Sequence, residues 1–416
     1  MSLAPAALLR SPTARGLANL YTGTLISGAG WAMVLPVTPV LVEHFGITPG
    51  TAAQVVTTYA LGRFFGIPGA GVLIDRFGTR RMLVGGPGLV LLGAVAGALT
   101  PWFWPILMAT FVVGVGDSVW ALGREVSGID LVRLDQRGRV LSGFHGMHSG
   151  ALAIGPLVGG FLAETIDFRA TFAAFAAVTA VAVVLGFFGH DAHSPRAAPR
   201  PADAPARTGL AGRIRDLVDL FKQIEPGLRL SYWVFILATL AGFTFRITLQ
   251  SVLPLYANEA LGLTPTQIGA LFSISGGVVF AMILPAGFVL DKLGRKWGTV
   301  PSTFLPGVAF LLMPFVDTYA QLAMLVGVMA VCNGLSLGSL AASTYDVLPD
   351  HVRGRLQAFR RTAAEVGGVG APLLGGVLID TVGPTAPFLA YAPVLLIAGV
   401  LLAFATRETL VKRRPT

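Results

Sequence analysis

GVLIDRFGTRR, residues 71–81, returns 216 positions later as GFVLDKLGRKW, residues 287–297. The same interval carries Asp117 onto Asn333 and Arg137-Gly138-Arg139 onto Arg353-Gly354-Arg355. It carries GPLVGG (155–160) onto APLLGG (371–376), Glu164 onto Asp380, and FGITPG (45–50) onto LGLTPT (261–266). Farther upstream it slips by two, where Leu35-Pro36 meets Leu253-Pro254. A constant interval over so many stretches marks two homologous halves, one after the other.

Composition says what solvent those halves meet. Of 416 residues, 54% are hydrophobic and only 12% charged. Soluble domains carry about 25% charged residues, so this chain is built for lipid. Its 52 glycines agree, because small residues let membrane helices approach closely. The one cysteine, Cys332, excludes an internal disulfide and a cysteine-based zinc site.

A membrane helix needs about twenty mostly apolar residues. Twelve such runs are expected, near 16–42, 51–74, 82–104, 106–127, 141–163, 168–189, 230–257, 266–290, 297–316, 319–344, 357–379 and 385–405. The first twenty residues lack the apolar length and cleavage site of a removable leader, so the first helix is expected to stay. The division is then an N-terminal six-helix half (1–189), a linker (190–229) and a C-terminal six-helix half (230–416). Within the linker, Leu210, Ile214, Leu217, Val218, Phe221 and Ile224 recur at helical spacing among charged residues. That pattern fits either an amphipathic helix lying on the membrane surface or a solvated linker helix.

An even number of spans puts both termini on one side. All but three of the 30 Lys and Arg fall on that same side: Arg63 and Arg246 lie within helices, and Arg169 lies opposite. By the positive-inside rule the termini are cytoplasmic. The net charge of +9 is thus an orientation signal, with some contact to anionic lipid heads, and no nucleic-acid partner is expected.

The loop pattern Gly-x-x-x-Asp-Arg/Lys-x-Gly-x-Arg/Lys-Arg/Lys resembles the signature loop of the major facilitator superfamily. Its first copy uses Gly71, Asp75, Arg76, Gly78, Arg80 and Arg81, with Thr79 where a basic residue is usual. The second uses Gly287, Asp291, Lys292, Gly294, Arg295 and Lys296. The resemblance covers the whole chain. It implies an all-α membrane protein with twelve transmembrane helices in two parallel six-helix repeats around a central cavity. It also implies that Asp75, Arg80, Arg81 and Asp291 help hold the halves together at the cytoplasmic side. The loop can also be read as a purely topogenic basic loop. Gly150, Gly155, Pro156, Gly159 and Gly160 in the fifth helix resemble the glycine-proline runs of proton-driven exporters. Close helix packing with a bend explains those residues as well. A monomer is the family's usual form.

Ionisable residues at membrane depth are costly and therefore informative. Asp117 is the deepest carboxylate and maps onto neutral Asn333, so it is the leading proton-coupling candidate; local capping is the other reading. His145 and His148 are further proton candidates, or simply pack at a helix end. Two histidines without a third ligand do not make a metal site. Arg246 is a candidate for an anionic substrate group or for a carboxylate partner. Arg63 and Asn333 join it as substrate-binding candidates. Arg124 and Glu125, with Arg361 and Glu365 four residues apart, are assigned to an inner gate.

No phosphate-binding glycine loop, hydrolase elbow or zinc-helix motif occurs. Neither a cofactor nor an enzymatic activity is expected. The expectation is a secondary transporter of the bacterial inner membrane working by alternating access. Sparse buried charge favours proton-coupled export of hydrophobic or amphipathic small molecules. Arg246 favours the alternative, import or facilitated passage of a small polar or anionic solute. Asp75→Asn is expected to cut transport while leaving membrane insertion intact. Substrate flux beside an immunoblot of the membrane fraction checks this, and unchanged flux refutes the gating role.

Overall fold

The computed structural model describes residues 12–133, 136–188, 220–336, 338–349, 352–406 and 408. Among them the regular structure is entirely helical and forms twelve rods. In the first half these are α1 (Pro12–Val34, continued by a tight turn at Leu35–Val37 and by Thr38–Phe45), α2 (Pro49–Phe77), α3 (Thr79–Leu99), α4 (Phe103–Asp130), α5 (Arg137–Thr165) and α6 (Phe168–Phe187). In the second they are α7 (Pro226–Ser251, then Leu253–Leu261), α8 (Pro265–Ala281, Ile283–Phe288 and a wide turn at Val289–Leu293), α9 (Arg295–Leu312), α10 (Tyr319–Ser336, then Ser339–Val347), α11 (Arg353–Thr381) and α12 (Ala386–Ala405).

Ten of the rods are long and apolar enough to cross a membrane by length and composition. The other two are α2, which carries Gln54, Arg63 and a polar threonine pair, and α8, whose apolar stretch is the shorter Pro265–Ala281. The break after Ala281 shortens the apolar stretch of α8, and the polar residues of α2 dilute its hydropathy.

The backbone repeats as the sequence does. Gly46 and Gly262, one interval apart, both end a helix in the left-handed region at φ 61°. Only glycine takes that geometry without strain. Gly78 and Gly294 both carry positive φ at the start of α3 and α9. Leu35-Pro36 and Leu253-Pro254 both sit where a rod kinks, because proline removes an internal hydrogen bond.

Two compact units emerge. One comprises residues 1–196, 250–280 and 372–384; the other comprises 197–249, 281–371 and 385–416. In the first unit, glycines set the helix spacing. A Cβ on Gly155 or Gly159 of α5 would collide with the Ala29 and Met33 carbonyls of α1. A Cβ on Gly160 would strike the Pro265 carbonyl of α8, and one on Gly269 the Pro156 carbonyl. Gly150 has more room, facing the Phe280 ring at 3.8 Å from its missing Cβ. The fifth-helix glycines thus let one rod pack backbone to backbone on two neighbours.

In the second unit, Leu220 and Ile224, at the start of the described stretch after the linker, are buried against Tyr232, Ile236, Leu348, Val352 and Leu356. The Tyr232 hydroxyl donates to the Leu356 carbonyl at 2.8 Å. The rest of the expected amphipathic segment, 210–219, lies outside the described residues.

Gly159→Val is expected to destabilise the protein by about 1–3 kcal/mol through overpacking. Gly277→Ala, which meets open space, is the neutral control. Thermal unfolding in detergent reads both.

Candidate functional site

Close approach of α2 and α4 builds the site. A Cβ on Gly114 of α4 would clash with the Tyr59 carbonyl of α2. Gly62 and Gly66 of α2 stand equally close to the Phe111 carbonyl and Ser118. The Thr58 and Thr110 hydroxyls bond across the same crossing at 2.7 Å. Tyr59 and Arg63, four residues apart on one helix face, are thereby brought to Asp117.

The Tyr59 hydroxyl donates to Asp117 Oδ2 at 3.0 Å, and Arg63 Nε lies 3.7 Å from the same oxygen. From α1 the Ser27 hydroxyl donates to Oδ1 at 2.6 Å. Arg124, two turns along α4, donates to the Gly23 carbonyl at 2.9 Å and reaches Ser27 Oγ at 3.5 Å. Its guanidinium lies over the Trp120 ring at 4.4 Å. Trp31 stacks on Tyr59 with ring centres 3.6 Å apart. Ser27 therefore bridges the Asp117 carboxylate and the Arg124 guanidinium.

A carboxylate withdrawn from water costs several kcal/mol unless it is paired and hydrogen-bonded. Asp117, whose side chain is 14% exposed, meets that demand with two hydroxyls and two arginines. Arg124 is buried, whereas the Arg63 side chain keeps 35% of its surface open. His148 is exposed beside α1, its Nδ1 next to the position a Gly28 Cβ would take. It stands within electrostatic reach of Asp117, Arg63 and Arg124.

The sequence puts Asp117 and Arg124 on one face of their helix, yet Arg124 is expected with Glu125 at an inner gate. The structure parts them: Arg124 joins the Asp117 cluster, and Glu125 is exposed. Ser27, Tyr59 and Trp31 were missed. The Tyr59/Arg63 spacing was the one readable signal for them. His145 binds its own helix through the Leu141 carbonyl at 2.9 Å. Among the described residues no ion pair joins Arg361 to Glu365; Arg361 is exposed. Its neighbour Arg360 donates to the Thr239 hydroxyl at 2.8 Å instead.

The second unit holds a different arrangement at the repeat-related place. Arg246 Nη2 donates to the Ser336 hydroxyl at 2.8 Å, and Ser336 donates to the Asn333 carbonyl at 2.7 Å. The Arg246 guanidinium lies 5.6 Å from the Phe243 ring centre. No carboxylate among the described residues pairs with it. The buried Asn333 Oδ1 accepts no hydrogen bond there.

At the signature loops, the structure shows a contact repeated at the same interval. Arg80 donates to the Phe187 carbonyl at 3.1 Å, and Lys296 donates to the Ala403 carbonyl at 2.7 Å. Each cation satisfies a carbonyl in the last turn of α6 or α12, where the helix dipole also favours positive charge. In the second copy the Glu408 carboxylate accepts from the Arg295 and Lys296 amides at 2.8 and 3.1 Å. Arg295 also pairs with Asp346 at 3.4 Å. Arg76 and Arg81 lie against the Phe77 ring, and Lys292 is exposed. Gly71 and Gly287 face open space. The side chains of Asp75 and Asp291 lie outside the described residues. Among the described residues no group of His, Cys, Asp and Glu is placed to hold a metal.

The family model for the Major Facilitator Superfamily matches residues 20–263 and 234–416. The chain belongs to the Major Facilitator Superfamily, a family of membrane transporters. It is 26% identical over 393 residues to "Multidrug resistance protein MdtG" of Dickeya zeae (strain Ech586), covering 92% of each chain. It is 22% identical over 451 residues to "Uncharacterized MFS-type transporter YcnB" of Bacillus subtilis (strain 168), covering 94% of this chain and 95% of that one. Its fold is similar to a crystal structure of the peptide transporter POT in complex with sulfate, with TM-score 0.78, 14% identity and coverage of 97% and 98%. It is also similar to that of a D-xylose-proton symporter, with TM-score 0.72, 16% identity and coverage of 94% and 98%.

Lys296→Met is expected to free the last turn of α12. Amide exchange there should quicken by about tenfold, the equivalent of one charge-assisted hydrogen bond. Hydrogen–deuterium exchange of the segment near 403–406 measures it.

Proposed function

We propose that this protein is a proton-coupled exporter of hydrophobic or amphipathic small molecules, working as a monomer in the bacterial inner membrane with both termini cytoplasmic. The observation that carries the reading is Asp117, a carboxylate at membrane depth held by Ser27, Tyr59, Arg63 and Arg124. As an anion it accepts both hydroxyls and attracts both arginines. A proton on either oxygen weakens all of those contacts together and leaves two cations with less reason to stay close. Protonation and the packing of α1, α2 and α4 are then one event, which is what coupling an ion to a conformational change requires. His148, beside the cluster, provides a second titratable group on the route to it. The names of the full-length relatives support export of drug-like compounds.

Arg246 favours a second reading. Its side chain binds only neutral partners and stands near an unmet amide oxygen, a setting suited to the anionic group of a polar solute. Purified protein separates the two: binding of a lipophilic cation supports the first, and binding of an organic anion the second.

In proteoliposomes with an imposed pH gradient, the native protein should drive uphill flux of a lipophilic cation. Asp117→Asn, which keeps the shape but cannot exchange a proton, should lose gradient-driven flux by at least about a hundredfold, within the range set by losing an essential acid–base group. Gradient-driven flux that survives in Asp117→Asn refutes the assignment.

A further inference from the structure

The first unit contains a second repeated device, at the end of the helices away from the basic loops. Helix α2 opens with Thr48-Pro49-Gly50-Thr51, and α8 opens with Thr264-Pro265-Thr266-Gln267. The Thr48 hydroxyl accepts the Thr51 amide at 3.2 Å, and the Thr264 hydroxyl accepts the Gln267 amide at 3.4 Å. Gln267 returns the contact by accepting the Thr264 amide at 3.0 Å. Proline has no amide to satisfy. In each first turn the amide of the second helical residue is thus left over.

Both leftover amides go to a carboxylate from the other sequence half. Gly50 donates to Asp380 Oδ1 at 2.8 Å, and the Thr48 hydroxyl donates to Oδ2 at 2.7 Å. Thr266 donates to Glu164 Oε2 at 2.9 Å. Asp380 ends α11 and Glu164 ends α5, and the two are one repeat interval apart, as are Gly50 and Thr266. Small residues make each contact possible. Gly376 of α11 touches Gly50, and Gly160 of α5 touches Pro265 and Thr266. A side chain at either glycine would hold the carboxylate off.

We propose that Glu164 and Asp380 form a two-point latch that holds this end of the transporter shut, each closing one α5–α8 or α11–α2 seam by capping the facing helix. Among the described residues no ion pair crosses either seam, so the hydrogen bonds to the two carboxylates supply the directional part of the closure. Opening this end exposes two helix starts whose remaining amides must find water. The latch rests on the alternating-access reading but not on proton coupling or on the identity of the substrate.

The test uses full-length protein in detergent, in a Cys332→Ala background, with no substrate and no gradient. Spin labels at Ile166 and Glu259 span the first seam, and labels at Glu43 and Val382 span the second. All four sites are exposed. The parent should give mainly short distances. Glu164→Gln with Asp380→Asn preserves shape while removing the charge and should shift the ratio of long to short distances by about tenfold or more. Glu164→Ala with Asp380→Ala should shift it further. Short distances unchanged in both double variants, each confirmed as folded by a monodisperse elution peak, would overturn the latch. Because no flux is read, loss of proton coupling leaves this result unaffected.

Discussion

A helix end leaves amides or carbonyls with no partner inside the helix, and this chain answers that demand with charged side chains. Arg80 and Lys296 take carbonyls at the ends of α6 and α12. Glu408 takes amides at the start of α9. Asp380 and Glu164 take amides at the starts of α2 and α8. Four of these five contacts form repeat-related pairs, so the internal duplication extends from residue identities to hydrogen bonds. The few charges the composition permits are therefore concentrated where rods begin and finish, and the rods pack through glycine between those points.

Asp117 is the exception, and the proposed proton coupling rests on it. It sits within a rod rather than at an end, and its partners come from two other rods as well as its own. Its neighbours fix its position strongly while it is ionised, so its protonation state has consequences for packing. The repeat makes the asymmetry plain. Asn333 occupies the related position without a charge, and the nearby cation, Arg246, binds a serine hydroxyl. One unit sets a single carboxylate among two arginines, and the other carries a cation with neutral company.

The duplication, the helix count and the family were legible because glycine, proline and charge recur at one interval. Turn geometry at Gly46 and Gly262 follows from residue type and needs no tertiary information. The Asp117 cluster was legible only in part. Its carboxylate stands out as an ionisable group in an apolar run, but Ser27 and Tyr59 look like ordinary helix residues until α1 and α2 are placed against α4. The depth of Arg124 along α4 suggests the helix end, while its long side chain reaches the Gly23 carbonyl. Glu164 and Asp380 were visible as a repeated pair, but their amide partners emerge only when α5 meets α8 and α11 meets α2.

The proposal stands or falls on a linkage between substrate binding and the protonation of Asp117. Purified protein in weakly buffered detergent with a pH indicator addresses it directly. Addition of tetraphenylphosphonium, a lipophilic cation, should change the number of bound protons in proportion to the amount bound, and the change should vanish when residue 117 cannot hold a proton. Tetraphenylphosphonium binding with no change in bound protons at any pH from acid to neutral would contradict the proposed coupling.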